Sequence, residues 1–120
     1  MSTAASFKVR DDGYAIATWA GLAAGETGQA VVVGSSTPKT VQLQGTFGGG
    51  TVAIQGSING SNWHTMSSVE IAAGIYVLLT GLSAPTLATI IENPLYMRPV
   101  VTGGDGTTAL TVYIGYSARN

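Results

Sequence analysis

The sequence predicts an all-β fold, a single-domain antiparallel β-sandwich that we expect to be jelly-roll-like. Several short runs alternate apolar and polar residues with a period of two, and clusters of Gly, Asn, Pro and Ser separate these runs. No window combines apolar residues at helical spacing with helix-forming residues between them. The nearest approach to a helix, Trp19 to Glu26, is interrupted by Gly21 and Gly25.

Length and composition indicate one folded domain. The chain has 120 residues, of which 45% are apolar and none is Cys, so its core must hold without disulfides. Charged residues are 9% of the chain, against about 25% in an average globular protein. Because disorder requires low hydrophobicity and high charge, this composition argues against a disordered chain. Low charge also leaves strand edges little protected by repulsion, which favours association.

The N-terminal segment differs from the rest of the chain. Residues 1–13 combine small polar residues with clustered charges, and we expect an extended N-terminal arm there that is loose until a partner orders it. Residues 14–120 form the predicted sandwich domain. Within the arm, Phe7, Lys8 and Arg10 are candidate interface residues.

Strand candidates follow one another closely from the start of the domain. The first are Tyr14 to Ala20 and Gln29 to Val33; Val41 to Phe47 then alternates, with Val41 and Leu43 on one face. Gly48, Gly49 and Gly50 break the alternation, which resumes at residues 51–58. We therefore predict an antiparallel hairpin with its turn at these glycines.

A second turn is predicted directly afterwards. Asn59-Gly60 is the favoured pair for a type I′ turn, whose two central residues both need positive φ. It leads into a strand from Asn62 to Ser67. Ile75 to Leu79 and Thr86 to Ile91 are further strand candidates, each bounded by Gly, Pro or Ser.

The C-terminal region repeats the hairpin pattern. Leu95 to Val101 and Thr108 to Tyr116 are predicted strands, and the turn between them consists of Gly103, Gly104, Asp105 and Gly106. The second strand places Leu110, Val112, Ile114 and Tyr116 on one face. Tyr113 falls on the opposite face, and we expect it to be an exposed interface residue. About eight such strands can close as a two-sheet sandwich, a jelly roll or a barrel, and we favour the jelly-roll sandwich.

Catalytic, cofactor and metal sites are not predicted. The single His64 has Glu70 as its nearest carboxylate in sequence, and no Gly-x-Ser-x-Gly nucleophile motif occurs. The acids do not alternate as in a calcium loop, and the triple glycine lacks the Lys-Ser/Thr of a phosphate cradle. The five cations are scattered, which argues against nucleic acid as a partner. The charge-free stretch from Ile71 to Ile91 contains Gly, Pro and Thr, so we interpret it as strands and a loop and expect no membrane partner.

Two stretches resemble a known group of proteins. The first runs from Val41 through the triple glycine to Val52-Ala53-Ile54-Gln55-Gly56-Ser57-Ile58-Asn59-Gly60-Ser61-Asn62-Trp63; the second comprises Glu92-Asn93-Pro94-Leu95-Tyr96-Met97-Arg98-Pro99-Val100-Val101 and Gly103-Gly104-Asp105-Gly106. Both are similar to small structural proteins encoded near the major capsid gene of tailed bacteriophages. The resemblance implies a capsid decoration, or cement, protein.

That resemblance implies a function without an active site. Such a protein is assembled in the host cytoplasm, sits on the capsid exterior of the virion and bridges subunits of the major capsid protein. Since decoration proteins work at symmetry positions, we expect a homodimer or homotrimer. The alternative hypothesis is a carbohydrate-binding or tail-fibre recognition module, in which some of the seven Trp and Tyr residues would form a sugar-binding platform.

Overall fold

The computed structural model describes residues 4–10, 13–33, 38–70 and 75–117, which form strands and loops and contain no helix. The prediction of an all-β antiparallel sandwich is confirmed. Within these described ranges, eleven strands follow one another: β1 Ser6–Val9, β2 Tyr14–Leu22, β3 Val31–Val32, β4 Lys39–Thr46, β5 Gly50–Ser57, β6 His64–Thr65, β7 Ser67–Glu70, β8 Ile75–Leu78, β9 Thr86–Ile90, β10 Tyr96–Gly103 and β11 Ala109–Ser117.

The strand order is that of a jelly roll. One sheet has five strands in the order β1-β2-β11-β4-β9, and the other has four in the order β3-β10-β5-β6. The pairs β2/β11, β3/β10, β4/β9 and β5/β6 are nested, as in one long antiparallel hairpin rolled up on itself. When this long hairpin is rolled up, β11 also pairs with β4 and β10 also pairs with β5, and these pairings complete the two sheets. The β7/β8 ribbon stands apart as a two-stranded sheet.

The core lies between the inner faces of the two sheets. Alternate residues of β2, among them Ala15 and Ala17, are fully buried, and Val52 and Ile54 of β5 are buried in the same cluster. Trp19 is among the largest fully buried side chains, and its Nε1 donates a 2.8 Å hydrogen bond to the Gln29 carbonyl. Since the indole N–H has a partner, Trp19 can be wholly buried at little polar cost.

Both hairpin predictions are wrong. β4 pairs with β11 and β9, whereas β5 pairs with β10 and β6, so the triple glycine joins the two sheets and not two neighbours in one sheet. The Gly103 to Gly106 loop likewise connects β10 of one sheet with β11 of the other. The glycines do reverse the chain, and Gly48 and Gly49 lie at φ 56° and 83°. A tight reversal specifies a change of direction, whereas the sheet that each strand enters depends on its other neighbours.

These two loops lie side by side at one end of the sandwich. The Thr108 hydroxyl donates a 2.9 Å hydrogen bond to the Phe47 carbonyl, and it accepts one of 3.0 Å from the Asp105 N–H. The Asp105 carboxylate accepts bonds from both the N–H and the hydroxyl of Thr107. The Thr107 hydroxyl, then its N–H, lowers the pKa of Asp105 by stabilising the carboxylate.

The Asn59-Gly60 segment turns differently from the prediction. Gly60 has φ 76°, but Asn59 does not have positive φ, so the type I′ assignment is wrong. Instead, the Asn59 side-chain oxygen accepts hydrogen bonds of 2.9 Å from the N–H groups of Ser61 and Asn62. The same residues, Asn and Gly, favour both an Asx-type turn and a two-residue type I′ turn, and the Asx-type turn forms here. The connection from Ser57 at the end of β5 to His64 at the start of β6 is correspondingly longer than a two-residue turn.

The described part of the predicted N-terminal arm contains an edge strand. Residues 6–9 pair along their whole length with Ala15 to Thr18 of β2. Residues 1–3, 11 and 12 lie outside the described residues.

Candidate functional site

Strand register arranges the outer face of the five-stranded sheet in rows. Residues that oppose each other directly in antiparallel strands have their side chains on the same face of the sheet. Along β2, buried residues alternate with residues that are not buried, and the latter identify the outer face. One row contains Ser6, Thr18, Tyr113, Gln42 and Leu87. The next row contains Lys8, Ile16, Gly115, Thr40 and Thr89.

A groove opens where the second row contains a glycine. Gly115 has no side chain to fill its place on the sheet, and a Cβ added there would overlap the hydroxyl and ring of Tyr14. The ring of Tyr14 therefore lies across the glycine. The resulting groove has a volume of about 370 Å³ and is lined by Tyr14, Ile16, Thr40, Gln42, Gln44, Leu87, Tyr113 and Gly115. A glycine inside a strand weakens the strand, and it often marks a place where another group comes close to the backbone.

The lining of this groove is neutral and mixes rings, apolar groups and amides. The Gln42 Nε2 donates a 3.1 Å hydrogen bond to Gln44 Oε1, which orders the two amides side by side on β4. The remaining groups of the pair are the side-chain oxygen of Gln42, which is an acceptor, and the side-chain NH2 of Gln44, which is a donor. Tyr113 and Tyr14 contribute aromatic rings with hydroxyl groups, and Leu87 is 71% exposed at one side. Such a groove suits a neutral, polar ligand with some apolar surface.

A second candidate surface lies on the inner side of β1. Phe7 opposes Ala17 and Val9 opposes Ala15, so both apolar side chains are on the core-facing side of the sheet. Because β1 is the sheet edge, the core does not cover them: Phe7 is 49% exposed and Val9 is 53% exposed. The Phe7 ring packs near the buried Tyr116 ring, with the two ring centroids 6.3 Å apart. We call Phe7 and Val9 the β1 apolar edge.

The four predicted interface residues are divided between these surfaces. Tyr113 and Lys8 lie on the outer face, in neighbouring rows, and Lys8 is exposed on the edge strand. Arg10 follows β1, and its N–H donates a 2.8 Å hydrogen bond to the Tyr14 carbonyl beside the groove. Phe7 is on the opposite side of the sheet. The structure therefore brings Lys8 and Tyr113 to one face and separates Phe7 from them, whereas Arg10 lies just beyond the end of β1.

Sequence reasoning missed most of the groove. The alternation of β4 does place Gln42 and Gln44 on the polar face, and this signal was available. Their relation to Tyr14, Leu87 and Gly115 depends on the order of β2, β11, β4 and β9 in the sheet, which no local pattern specifies.

The outer face of the four-stranded sheet has a polar cluster with internal partners. The Arg98 guanidinium lies 4.1 Å from the centroid of the Trp63 ring, and its Nε donates a 3.0 Å hydrogen bond to Gln55 Oε1. Burial lowers the pKa of Arg98. The Gly60 Cα lies close to Tyr96, whose ring an added Cβ would meet at 3.3 Å. The rings of this cluster are thus engaged with protein groups.

The ionisable residues of the described ranges do not assemble into a reaction centre. His64 is exposed on the short strand β6, and the side chain of Glu70 lies outside the described part of the structure. Asp105 stabilises its own loop. Among residues 4–10, 13–33, 38–70 and 75–117, no three His, Cys, Asp or Glu side chains converge as a metal site would require. None of the elements in these ranges is a helix of a length and hydropathy that would cross a membrane.

The fold and its surfaces define a small jelly-roll protein with a groove on one sheet and an apolar edge on the same sheet. No family model matches the sequence, and a comparison with curated proteins gives no match. Among solved structures, the chain is similar to the SPBc2 prophage-derived protein YomS, with a TM-score of 0.68 and 12% sequence identity. The match covers 91% of this chain and 98% of the other, so the two share the fold over nearly their whole length.

Proposed function

We propose that the protein is a structural protein of a tailed-bacteriophage particle that decorates and stabilises the capsid by bridging subunits of the major capsid protein. It acts on the capsid exterior as a homodimer or homotrimer, after assembly in the host cytoplasm. The observation that carries the proposal is the β1 apolar edge, a strand that presents two apolar side chains and one free side of its backbone. No catalytic step and no cofactor are part of the proposed function.

An exposed edge strand of this kind is suited to contact another protein. Phe7 and Val9 stay about half exposed although they point toward the core side of the sheet. Sheet edges are commonly protected by inward-pointing charges, but here the inward positions are apolar and Lys8 points outward. Complete burial of a large apolar side chain stabilises by about 1.5–3 kcal/mol, so covering the exposed half of each residue contributes about 1 kcal/mol.

A contact of that size is useful when it is repeated many times. A decoration protein occupies many equivalent positions, and binding to the assembled capsid stabilises it by mass action with free protein. Low charge supports close packing at these positions, since only 9% of the residues are charged. The fold likeness to a prophage-derived protein agrees with a phage origin, and the resemblance of the two sequence stretches points to the capsid.

The direct test is to find the protein on particles. Mass spectrometry of purified virions should detect it at a copy number comparable to the capsid symmetry positions. Heads purified from a phage lacking the gene should bind added protein, sediment faster and survive heating better. If full-length protein does not bind such heads, the decoration proposal is wrong. Light scattering of the free protein then distinguishes the dimer from the trimer.

A pair of variants tests the role of the β1 apolar edge. Phe7→Ser combined with Val9→Ser removes the apolar groups, and occupancy on heads should fall at least tenfold. Ile58→Ser is the matched control, because Ile58 is 77% exposed on the loop after β5 of the other sheet and should keep full occupancy. Equal occupancy of both variants would place the capsid contact elsewhere on the sandwich.

A further inference from the structure

We infer that the groove around Gly115 binds a neutral oligosaccharide, which is a binding function separate from capsid attachment. The groove lies on the outer face of the five-stranded sheet, whereas the β1 apolar edge points to the inner side. The inference therefore does not depend on the proposed function.

The rings provide the first argument. Tyr14 and Tyr113 are on the neighbouring strands β2 and β11, on the same face, and both line the groove. A pyranose ring has an apolar face of C–H groups that packs on an aromatic ring, and Tyr adds a hydroxyl at the ring edge for hydrogen bonding. The absence of a side chain at Gly115 lets the Tyr14 ring lie over the strand, and Tyr14 is 37% exposed there, so a ligand can contact this ring and the Tyr113 ring on one face.

The amides provide the second argument. Vicinal sugar hydroxyls each donate and accept, so they are matched by groups that present a donor and an acceptor close together. The Gln42 and Gln44 pair does this on β4, with Thr40 as a third polar group in the same strand face. No charged side chain is among the residues that line the groove. Lys8 opposes Ile16 at the margin of the groove, but the lining itself offers a phosphate or sulfate no charged partner, which favours a neutral sugar.

The dimensions fit a short chain of sugars. The groove extends from β2 across β11 and β4 to Leu87 of β9, which is three strand spacings, or about 14 Å. An extended and open groove accepts several linked rings, whereas a single sugar would occupy one closed pocket. The ligand class is therefore a neutral oligosaccharide or a segment of a neutral polysaccharide.

The test uses defined sugars and the intact chain. Linear hexasaccharides of glucose, mannose, xylose and N-acetylglucosamine are titrated at millimolar concentration into ¹⁵N-labelled protein, and amide shifts are followed. At least one should shift resonances of Tyr113, Gly115 and Gln42, and should leave the four-stranded sheet unchanged. The inference is overturned if all four sugars leave these resonances in place, or if the shifts fall on another surface.

Variants decide whether the groove itself is responsible. Tyr113→Ala should weaken binding at least tenfold, and Gln42→Leu, which keeps the size of the side chain, should weaken it severalfold. Tyr96→Ala is the matched control, since Tyr96 is a half-buried tyrosine on the outer face of the other sheet. If Tyr96→Ala weakens binding as much as Tyr113→Ala, the groove is not the site. Shifts of groove resonances on dilution without sugar would instead identify a second copy of the chain as the occupant and overturn the inference.

Discussion

The two outer faces of the sandwich contain the same residue types in different states. On the four-stranded sheet, Arg98 is 4.1 Å from the centroid of Trp63 and bonds Gln55, so an aromatic ring and an amide have partners within the protein. On the five-stranded sheet, Tyr113 and the hydrogen-bonded Gln42 and Gln44 amides border a groove. The Arg98 side chain covers the Trp63 ring on the first surface, whereas on the second the Tyr14 ring lies over Gly115 and a groove remains between it and the side chains of β4 and β9. The side chains next to an aromatic ring, and not the residue type, therefore decide whether the ring packs within the protein or lines a groove.

The largest effect on stability is expected at the closed face. Trp63→Ala removes the ring against which Arg98 lies, and we expect a loss of about 2 kcal/mol in the free energy of unfolding. Urea unfolding followed by far-UV circular dichroism measures it. Trp63→Phe is the control, since it keeps an aromatic face and should lose less. A loss below about 0.5 kcal/mol for Trp63→Ala would mean that the cluster is not a stabilising one.

Gly60→Val tests the turn beneath the closed face. Gly60 has φ 76°, and its added Cβ would also meet the Tyr96 ring at 3.3 Å. A β-branched residue is strained at positive φ, so we expect a loss of about 1–2 kcal/mol and a lower melting temperature. Gly106→Val serves as the comparison, because nothing lies within 4 Å of a Cβ there. An unchanged melting temperature for Gly60→Val would contradict the described turn.

Lys39→Met tests the inner side of the five-stranded sheet at the first residue of β4, the strand whose outer side carries Gln42 and Gln44. Lys39 is 0% exposed, and its Nζ donates a 2.7 Å hydrogen bond to the Asn93 side chain. Replacing it with an apolar residue of similar length removes the cost of burying a charge, and Asn93 is exposed enough to bond water instead. We expect a gain of about 1 kcal/mol at neutral pH. A clear loss would show that the ammonium group is itself stabilising.

The same residue gives a pH dependence of known sign. Burial lowers the pKa of Lys39, so the unfolded chain binds more protons than the folded one between the lowered pKa and about 10.4. The stability of the natural chain should therefore rise with pH in that window, and the advantage of Lys39→Met should shrink. Thermal melts in steps from pH 7 to pH 10 measure this, with the exposed Lys8→Met as control. A constant difference between the two proteins would contradict the assigned cause.

The smallest effect on stability is expected at the open face. Tyr113→Ala removes a half-buried ring that borders the groove, and we expect a loss of less than about 1 kcal/mol together with the loss of sugar binding. The pair Trp63→Ala and Tyr113→Ala thus separates stabilisation from binding. If Tyr113→Ala costs as much stability as Trp63→Ala, the Tyr113 ring stabilises the fold as much as the Trp63 ring does, and the two faces do not differ.

The strands and their inner faces could be predicted from the sequence because they depend on local patterns. Alternation over Leu110, Val112, Ile114 and Tyr116 fixes which side of β11 is buried, and all four are buried in the core. The positions of chain reversal were also available, since glycine is the residue that adopts positive φ without strain. Tyr113 was placed on the outer face by the same reasoning.

Strand partners and the groove were decided by the tertiary structure alone. A glycine turn after β4 is compatible with a hairpin or with a change of sheet, and β5 enters the other sheet because β11 and β9 occupy both sides of β4. The groove requires Tyr14, Gln42, Leu87 and Gly115 to be neighbours, although they come from four strands far apart in the chain. The physical reason is that periodicity specifies the face of each strand, whereas sheet order follows from how all strands together bury the core.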